Sequence, residues 1–115
     1  MKKVALFAFN GELMCFVHVL LNALDMKEKG IEVKIVIEGS ATKLVPDLGV
    51  EGNLLSGPFK KAQAEGLIDG VCKACATKMG TAEDAKTMGL ALLSEMWGHP
   101  AMAKYLKEGY EVITF

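Results

Sequence analysis

Positions 72 to 75 of the chain read Cys-Lys-Ala-Cys, two thiols at a spacing that suits sulfur chemistry. Cys72 ends an apolar stretch, and Cys75 falls in the first turn of the helix predicted to follow. Unpaired N–H groups and the helix dipole stabilise a thiolate at such a place, and Lys73 adds positive charge. Because the thiolate is the nucleophilic form, we predict that Cys72 and Cys75 are catalytic and that the pKa of Cys72 is lowered. The alternative is that both are small buried hydrophobic side chains, as free cysteines often are.

Other candidates follow the ends of the predicted strands. In an open parallel sheet, ligands bind outside the carboxyl ends of the strands, so these residues are expected at the rim of one site. The predicted rim consists of Asn10, Gly11, Cys15, Glu38, Lys73, Trp97 and His99. Glu38 is expected to be solvated and Trp97 to pack or to line the rim. His99 is expected to cap the last helix, with proton transfer as the alternative.

No metal or organic cofactor is predicted. Cys15 and His18 share a helix face, but a structural zinc site needs four ligands, so Cys72, Cys75, Cys15 and a histidine would have to converge. The sequence contains no G-x-G-x-x-G, no G-x-x-x-x-G-K-[ST], no G-x-S-x-G and no H-E-x-x-H. These absences make a dinucleotide dehydrogenase or a P-loop enzyme improbable.

The composition describes a single globular domain over residues 1–115. The chain is 51% hydrophobic and carries a net charge of −1. It contains no arginine, which removes the bidentate fork that best recognises phosphate and guanine, so a nucleic-acid partner is not expected. No apolar run approaches the roughly 20 residues of a membrane span. The expected setting is the cytoplasm, without a membrane partner and with the three cysteines reduced.

A repeated pattern predicts the architecture. Four times a helix-like stretch ends in glycine and an apolar, strand-like stretch follows directly, at Gly30, Gly66, Gly89 and Gly109. With an opening strand over Lys3–Phe9, this gives five strands alternating with helices. Alternation of this kind predicts an α/β fold, a three-layer sandwich whose mostly parallel sheet carries helices on both faces.

Two features of this prediction leave alternatives open. Residues 82–97 could form one long helix, but a helix broken at Gly89 leaves residues 90–94 as the fourth strand, and we favour this split. The first helix is apolar over most of its circumference, which predicts burial on more than one side and hence a homo-oligomer. The alternative is that the glycine-rich loop 47–57 covers that helix.

Three stretches of the chain resemble the DsrE/DsrF-like family of small sulfur-relay proteins. They are KVALF at residues 3–7, VCKACA at residues 71–76 followed by Gly80, and YLKEGYEVITF at residues 105–115. The resemblance covers nearly the whole chain. It implies a five-stranded parallel α/β sandwich that assembles as a dimer, trimer or hexamer.

The resemblance also implies a role for Cys72. In sulfur-carrying members a cysteine at this position accepts sulfane sulfur as a persulfide and passes it to a partner thiol, whereas Cys75 stands where those members carry alanine. The expected function is therefore a sulfur carrier or sulfurtransferase subunit with protein donors and acceptors. The alternatives are a thiol–disulfide redox protein that uses both cysteines, and a non-catalytic module that binds a small ligand or a partner.

Overall fold

The computed structural model describes residues 2–115, and its helices and strands alternate as the glycine pattern predicts. The strands are β1 (Lys3–Ala8), β2 (Glu32–Ile37), β3 (Ile68–Cys72), β4 (Leu92–Leu93) and β5 (Glu111–Thr114). The α-helices are α1 (Leu13–Glu28), α2 (Val45–Leu48), α3 (Ser56–Ala64), α4 (Lys73–Met79), α5 (Ala82–Thr87) and α6 (Met102–Lys107). A 3-10 helix over Gly39–Leu44 links β2 to α2.

The five strands form one parallel sheet in the order β4-β3-β2-β1-β5. Parallel pairing brings the carboxyl ends of neighbouring strands to the same edge. The order places the carboxyl ends of β2, β3 and β4 side by side. Glu38 directly follows β2, Cys72 is the last residue of β3, and the segment after β4 leads to His99. The topology therefore gathers three candidate residues from distant parts of the sequence.

Helices cover both faces of the sheet, as expected for a three-layer sandwich, but the two layers differ in size. One face carries the larger core, in which Leu6 and Ile35 pack with Phe16 and Leu20 of α1. On the opposite face Phe7 meets Tyr105 of α6 in a T-shaped contact with ring centroids 5.3 Å apart. Side chains that alternate along β1 thus supply both cores.

Glycines end the helices where the sequence pattern places them. Gly30, Gly66, Gly89 and Gly109 all have positive φ values, between 73° and 90°. Such a backbone is costly for residues with a Cβ, so glycine at these positions stops each helix and releases the chain into the next strand. At Gly89 this confirms the split of residues 82–97 into α5 and β4. The fourth strand is shorter than predicted, because only Leu92 and Leu93 pair with β3.

Helix α1 is only partly enclosed by its own chain. Phe16, Val19 and Leu20 are buried, whereas Met14 and Leu21 are exposed. Helix α3 packs against α1, and Leu48 and Leu55, which belong to the glycine-rich loop of residues 47–57, join the same core. Apolar surface remains on α1, and the homo-oligomer stays a prediction. Among residues 2–115, no helix combines the length and apolarity that crossing a membrane requires.

Candidate functional site

Two thiols lie against each other at the carboxyl edge of the sheet. Cys72 is the last residue of β3, and Cys75 lies in the first turn of α4. The Cys72 thiol donates to the Cys75 Sγ atom at 2.9 Å, and the Cys75 backbone N–H donates back to the Cys72 Sγ atom at 3.3 Å. Both cysteines are free. The C-x-x-C spacing thus folds into a direct sulfur–sulfur contact.

A histidine contacts both sulfur atoms. The Nδ1 atom of His99 lies 3.1 Å from the Cys72 Sγ atom and 3.7 Å from the Cys75 Sγ atom. His99 does not cap the last helix as expected, because α6 begins at Met102 and its N-cap is Ala101. The ring is placed to accept or return a thiol proton, which was the alternative role.

A tight turn holds His99 in this position. Met96 and His99 exchange two backbone hydrogen bonds of 2.8 Å, and the central residues Trp97 and Gly98 both have positive φ values. The Gly98 carbonyl accepts a hydrogen bond of 2.8 Å from the Ala74 backbone N–H, which ties the turn to the start of α4. Positive φ is rare for a residue as bulky as tryptophan, so surrounding contacts must impose this turn.

Glu38 is buried rather than solvated, contrary to expectation. It follows β2 directly and is 7% exposed, and a carboxylate oxygen lies 4.0 Å from His99 Nδ1. Burial raises the pKa of this carboxyl, while His99 and Cys72 oppose that rise. The position in the middle of the sheet explains the burial, since β1 and β3 flank β2 on either side.

The predicted lowering of the Cys72 pKa is wrong. Cys72 has no exposed surface, and burial raises its pKa to about 12, assisted by the hydrogen bond to Cys75 and by the charges of Cys75 and Glu38. The backbone N–H of Cys75 acts in the opposite direction but is outweighed. Local helix geometry favours the thiolate, whereas the removal of solvent disfavours it more strongly.

Two cavities flank the cluster, and His99 borders both. One, of about 400 Å³, is lined by Gly39, Ser40, Ala74, Cys75, Lys78, Met79 and His99. The other, of about 330 Å³, is lined by Phe9, Glu38, Met96, His99, Pro100, Ala101, Met102 and Ala103. Cys75 therefore faces open space, while Cys72 lies behind it.

The structure brings some predicted rim residues into the cluster and leaves others outside. Lys73 is exposed at the start of α4, and Cys15 lies in α1 outside the group formed by Glu38, Cys72, Cys75 and His99. Trp97 is 96% exposed, so the packing role predicted for it is wrong, although its turn borders the site.

Asn10 and Gly11 form part of the support for the rim. They follow β1, and the Gly11 backbone N–H donates to the Ser40 hydroxyl at 2.9 Å. Neither residue lines the two cavities. Ser40, Lys78 and Met79, which do line the larger cavity, were not predicted as site residues. Ser40 follows β2 closely, so the rule for strand ends could have found it.

The fold and the cluster define a class of small α/β proteins with a pair of thiols and a histidine at the carboxyl edge of a parallel sheet. The sequence model of the DsrE/DsrF-like family matches residues 6–115, so the chain belongs to the DsrE/DsrF-like family. This membership implies a function of the sulfur-relay type.

Archaeal relatives carry no established function. The chain is 40% identical over 96 residues to an uncharacterised protein of Methanocaldococcus jannaschii. The aligned region covers 84% of this chain and 76% of that protein. It is also 41% identical over 59 residues to an uncharacterised protein of Archaeoglobus fulgidus, and this aligned region covers 51% of this chain and 95% of that protein. No solved structure matches the chain.

Proposed function

We propose that the chain is a sulfur-carrier subunit, a sulfurtransferase that holds sulfane sulfur as a persulfide at the Cys72–Cys75 pair. The supporting observation is the 2.9 Å contact between the two sulfur atoms, with His99 Nδ1 within 3.7 Å of both. A second thiol at that distance can receive a sulfur atom from the first without any movement of the backbone. The role of Cys72 as carrier is the one that family resemblance implies.

Cys75 is the entry point in this proposal because it lines the 400 Å³ cavity. Its thiol proton moves to His99, and the thiolate attacks the outer sulfur of a donor persulfide, R–S–SH. A sulfur–sulfur bond to Cys75 forms, the donor's sulfur–sulfur bond breaks, and the donor leaves as a thiolate that takes up a proton. No external oxidant or reductant is needed.

Cys72 then receives the sulfur. His99, having returned its first proton to the departing donor thiolate, accepts the Cys72 thiol proton at Nδ1, 3.1 Å away. The Cys72 sulfur attacks the outer sulfur of the Cys75 persulfide, the Cys75 Sγ atom leaves as a thiolate, and Cys72 becomes Cys72–S–SH. Full burial of Cys72 shields the persulfide from solvent thiols. Delivery to an acceptor runs through the same exchange in reverse. If instead Cys75 attacks the Cys72 Sγ atom, hydrosulfide leaves with two electrons and a Cys72–Cys75 disulfide remains.

Intact mass spectrometry tests this proposal. Reduced protein incubated with a polysulfide donor should gain one sulfur atom, and dithiothreitol should remove it. Cys75→Ser should load far more slowly, because the buried thiol lacks its entry point. Cys72→Ser should load but lose its sulfur to added thiol faster than the unmodified protein, because the persulfide stays at the cavity.

Cys15→Ser is the matched control, since Cys15 lies outside the cluster, and it should load and retain sulfur normally. Sulfur loading by the double variant Cys72→Ser/Cys75→Ser at the normal rate would contradict the proposal. Retention by Cys72→Ser that equals retention by the unmodified protein would contradict the carrier role of Cys72.

The same sulfur–sulfur contact favours a second candidate, a thiol–disulfide redox protein. Such a protein would lose two hydrogens in the same experiment instead of gaining a sulfur atom. It would not be thioredoxin-like, because every pair of neighbouring strands in the sheet of residues 2–115 is parallel.

The proposed carrier works in the cytoplasm, where its thiols stay reduced, with protein donors and acceptors of sulfur. We further propose that it assembles with copies of itself as a dimer, trimer or hexamer. The exposed apolar side chains of α1, Leu13, Met14 and Leu21, support this assembly.

A further inference from the structure

We propose that Glu38, Cys72, Cys75 and His99 form a binding site for one Zn²⁺ ion. This site goes beyond sulfur transfer and does not depend on it. It also differs from the site considered from sequence, because Glu38 and not Cys15 completes the set.

Geometry is the first argument. One ligand atom from each of the four residues lies within 4.8 Å of the other three. Ligand atoms around a tetrahedral zinc, with bonds of about 2.0–2.3 Å, lie roughly 3.3–3.8 Å apart. The Sγ–Sγ distance of 2.9 Å and the two Sγ–Nδ1 distances of 3.1 and 3.7 Å lie near that range, and the carboxylate lies 4.0 Å from Nδ1. Small side-chain rotations suffice to surround an ion.

The donor set selects the metal. Two thiolates at C-x-x-C spacing with one imidazole are ligands that suit zinc and other borderline metals. Magnesium and calcium take oxygen ligands almost exclusively, and this cluster offers oxygen from Glu38 alone. The chemistry therefore favours Zn²⁺ over the hard cations.

The buried carboxylate is an independent argument for a cation. Glu38 is 7% exposed, and within residues 2–115 its one ion-pair partner inside 4.0 Å is the His99 ring, which carries charge only when protonated. A buried carboxylate beside two thiols is costly unless positive charge compensates it. A divalent ion at the centre of the cluster supplies that charge and neutralises the thiolates as well.

The fold presents the ligands ready for binding. Cys72 ends β3, Glu38 follows β2, and the hydrogen-bonded turn of residues 96–99 fixes His99. The cavities beside Cys75 and beside Glu38 give an ion two routes of entry. Ligands held on rigid elements with an open approach are what an effective metal site requires.

Zinc and sulfane sulfur would compete for the thiolates of Cys72 and Cys75. Binding of zinc displaces a proton from each thiol and occupies both Sγ atoms, so neither sulfur can attack a persulfide while the ion is bound. This one consequence rests on the proposed function: in a sulfur carrier the zinc-bound chain would be a resting form, and removal of zinc would release the pair for sulfur transfer.

The test is titration of the reduced full-length protein with Zn²⁺ under anaerobic conditions, in competition with a chromophoric chelator and without any sulfur donor. We expect one ion per chain. Cys75→Ser and His99→Gln should weaken binding roughly 100-fold or more, beyond the 10–100-fold loss typical of second-shell changes. Co²⁺ should give the near-ultraviolet thiolate-to-metal charge-transfer band and the intense visible bands of tetrahedral coordination.

Cys15→Ser and His18→Gln are matched controls because they remove the same ligand types from α1, outside the cluster, and they should bind zinc normally. Circular dichroism would verify that each variant is folded. Failure of the unmodified protein to bind zinc would overturn the proposal, as would normal binding by His99→Gln. Sulfur loading of metal-free protein is measured separately, so either proposal can fail while the other stands.

Discussion

Iodoacetamide should modify Cys72 in the folded, metal-free protein at pH 8 about 1000 times more slowly than in the urea-unfolded protein. Burial raises the pKa of this thiol from 9.0 to about 12, and each pKa unit lowers the thiolate fraction tenfold at a fixed pH below both values. Only the thiolate reacts. The full burial of the Cys72 side chain also blocks the reagent and adds to the effect.

The pH dependence of this reaction follows from the same pKa. Because a raised pKa means that the folded thiol keeps its proton at pH 8, the rate at Cys72 should rise about tenfold per pH unit as long as the protein stays folded. In the unfolded chain the rate should level off once the pH exceeds the ordinary thiol pKa. A folded protein whose rate levels off near pH 7 would instead have the lowered pKa predicted from the sequence.

Trypsin cleavage after Lys73 places Cys72 and Cys75 on different peptides, so mass spectrometry can follow each thiol. Cys75 borders a cavity and provides the internal comparison, because iodoacetamide can reach it in the folded protein. In Cys75→Ser, burial remains the largest influence on Cys72, so the slow reaction should persist. Equal rates at Cys72 in folded and unfolded protein would show that the site is open.

The order of strands and helices could be predicted from sequence because its signals are local. Each glycine that ends a helix acts through its own backbone conformation, and at Gly89 that signal, together with the apolar run that follows, predicted the observed split of residues 82–97. The strand-end rule likewise placed Cys72, Glu38 and His99 on one edge of the sheet. Their location on a common edge needed only a parallel sheet, which the alternation of elements predicted.

The properties of the site depend on contacts that the sequence does not reveal. The helix terminus at Cys75 is a local feature, whereas the burial that raises the Cys72 pKa comes from neighbouring strands and the turn at His99. Glu38 is buried because β2 lies between β1 and β3, an order that the alternation pattern leaves open. The contact of His99 with Cys72 requires that β4 pair with β3.

The pairing of β3 with β4 gives a direct way to test how the fold supports the site. Gly70 lies in β3, and a Cβ atom added there would lie 2.6 Å from the Leu93 Cγ atom and 2.8 Å from the Ala91 carbonyl oxygen. That carbonyl accepts the 2.8 Å hydrogen bond from the Val71 backbone N–H that joins the two strands. Leu93 can rotate, but the carbonyl cannot retreat without breaking this bond.

Gly70→Ala should therefore lower the free energy of unfolding by about 1–3 kcal/mol, the usual cost of overpacking. Replacing a flexible glycine would by itself stabilise the protein by roughly 0.4–1 kcal/mol, so the clash must exceed that gain. Urea denaturation measures the difference in unfolding free energy between the two proteins. We expect the m value, the slope of that free energy against urea concentration, to stay unchanged.

Gly49→Ala is the matched control for the same substitution. Gly49 is exposed at the end of α2 with φ −91°, and an added Cβ there meets only the flexible end of the Met88 side chain, at 3.4 Å, so this variant should be neutral or slightly stabilised. A Gly70→Ala variant as stable as Gly49→Ala would show that β4 moves aside without loss of stability.

Gly70→Ala should change the alkylation rate of Cys72 as well as the free energy of unfolding. The chain leaves β4 and runs directly into the turn that holds His99 and Gly98, and this turn borders Cys72. Displacement of β4 should move the turn, expose the buried thiol and accelerate its alkylation in the folded protein, whereas Gly49→Ala should leave that rate unchanged. A destabilised Gly70→Ala variant with unaltered protection of Cys72 would show that the turn is held by α4 through Ala74 rather than by β4.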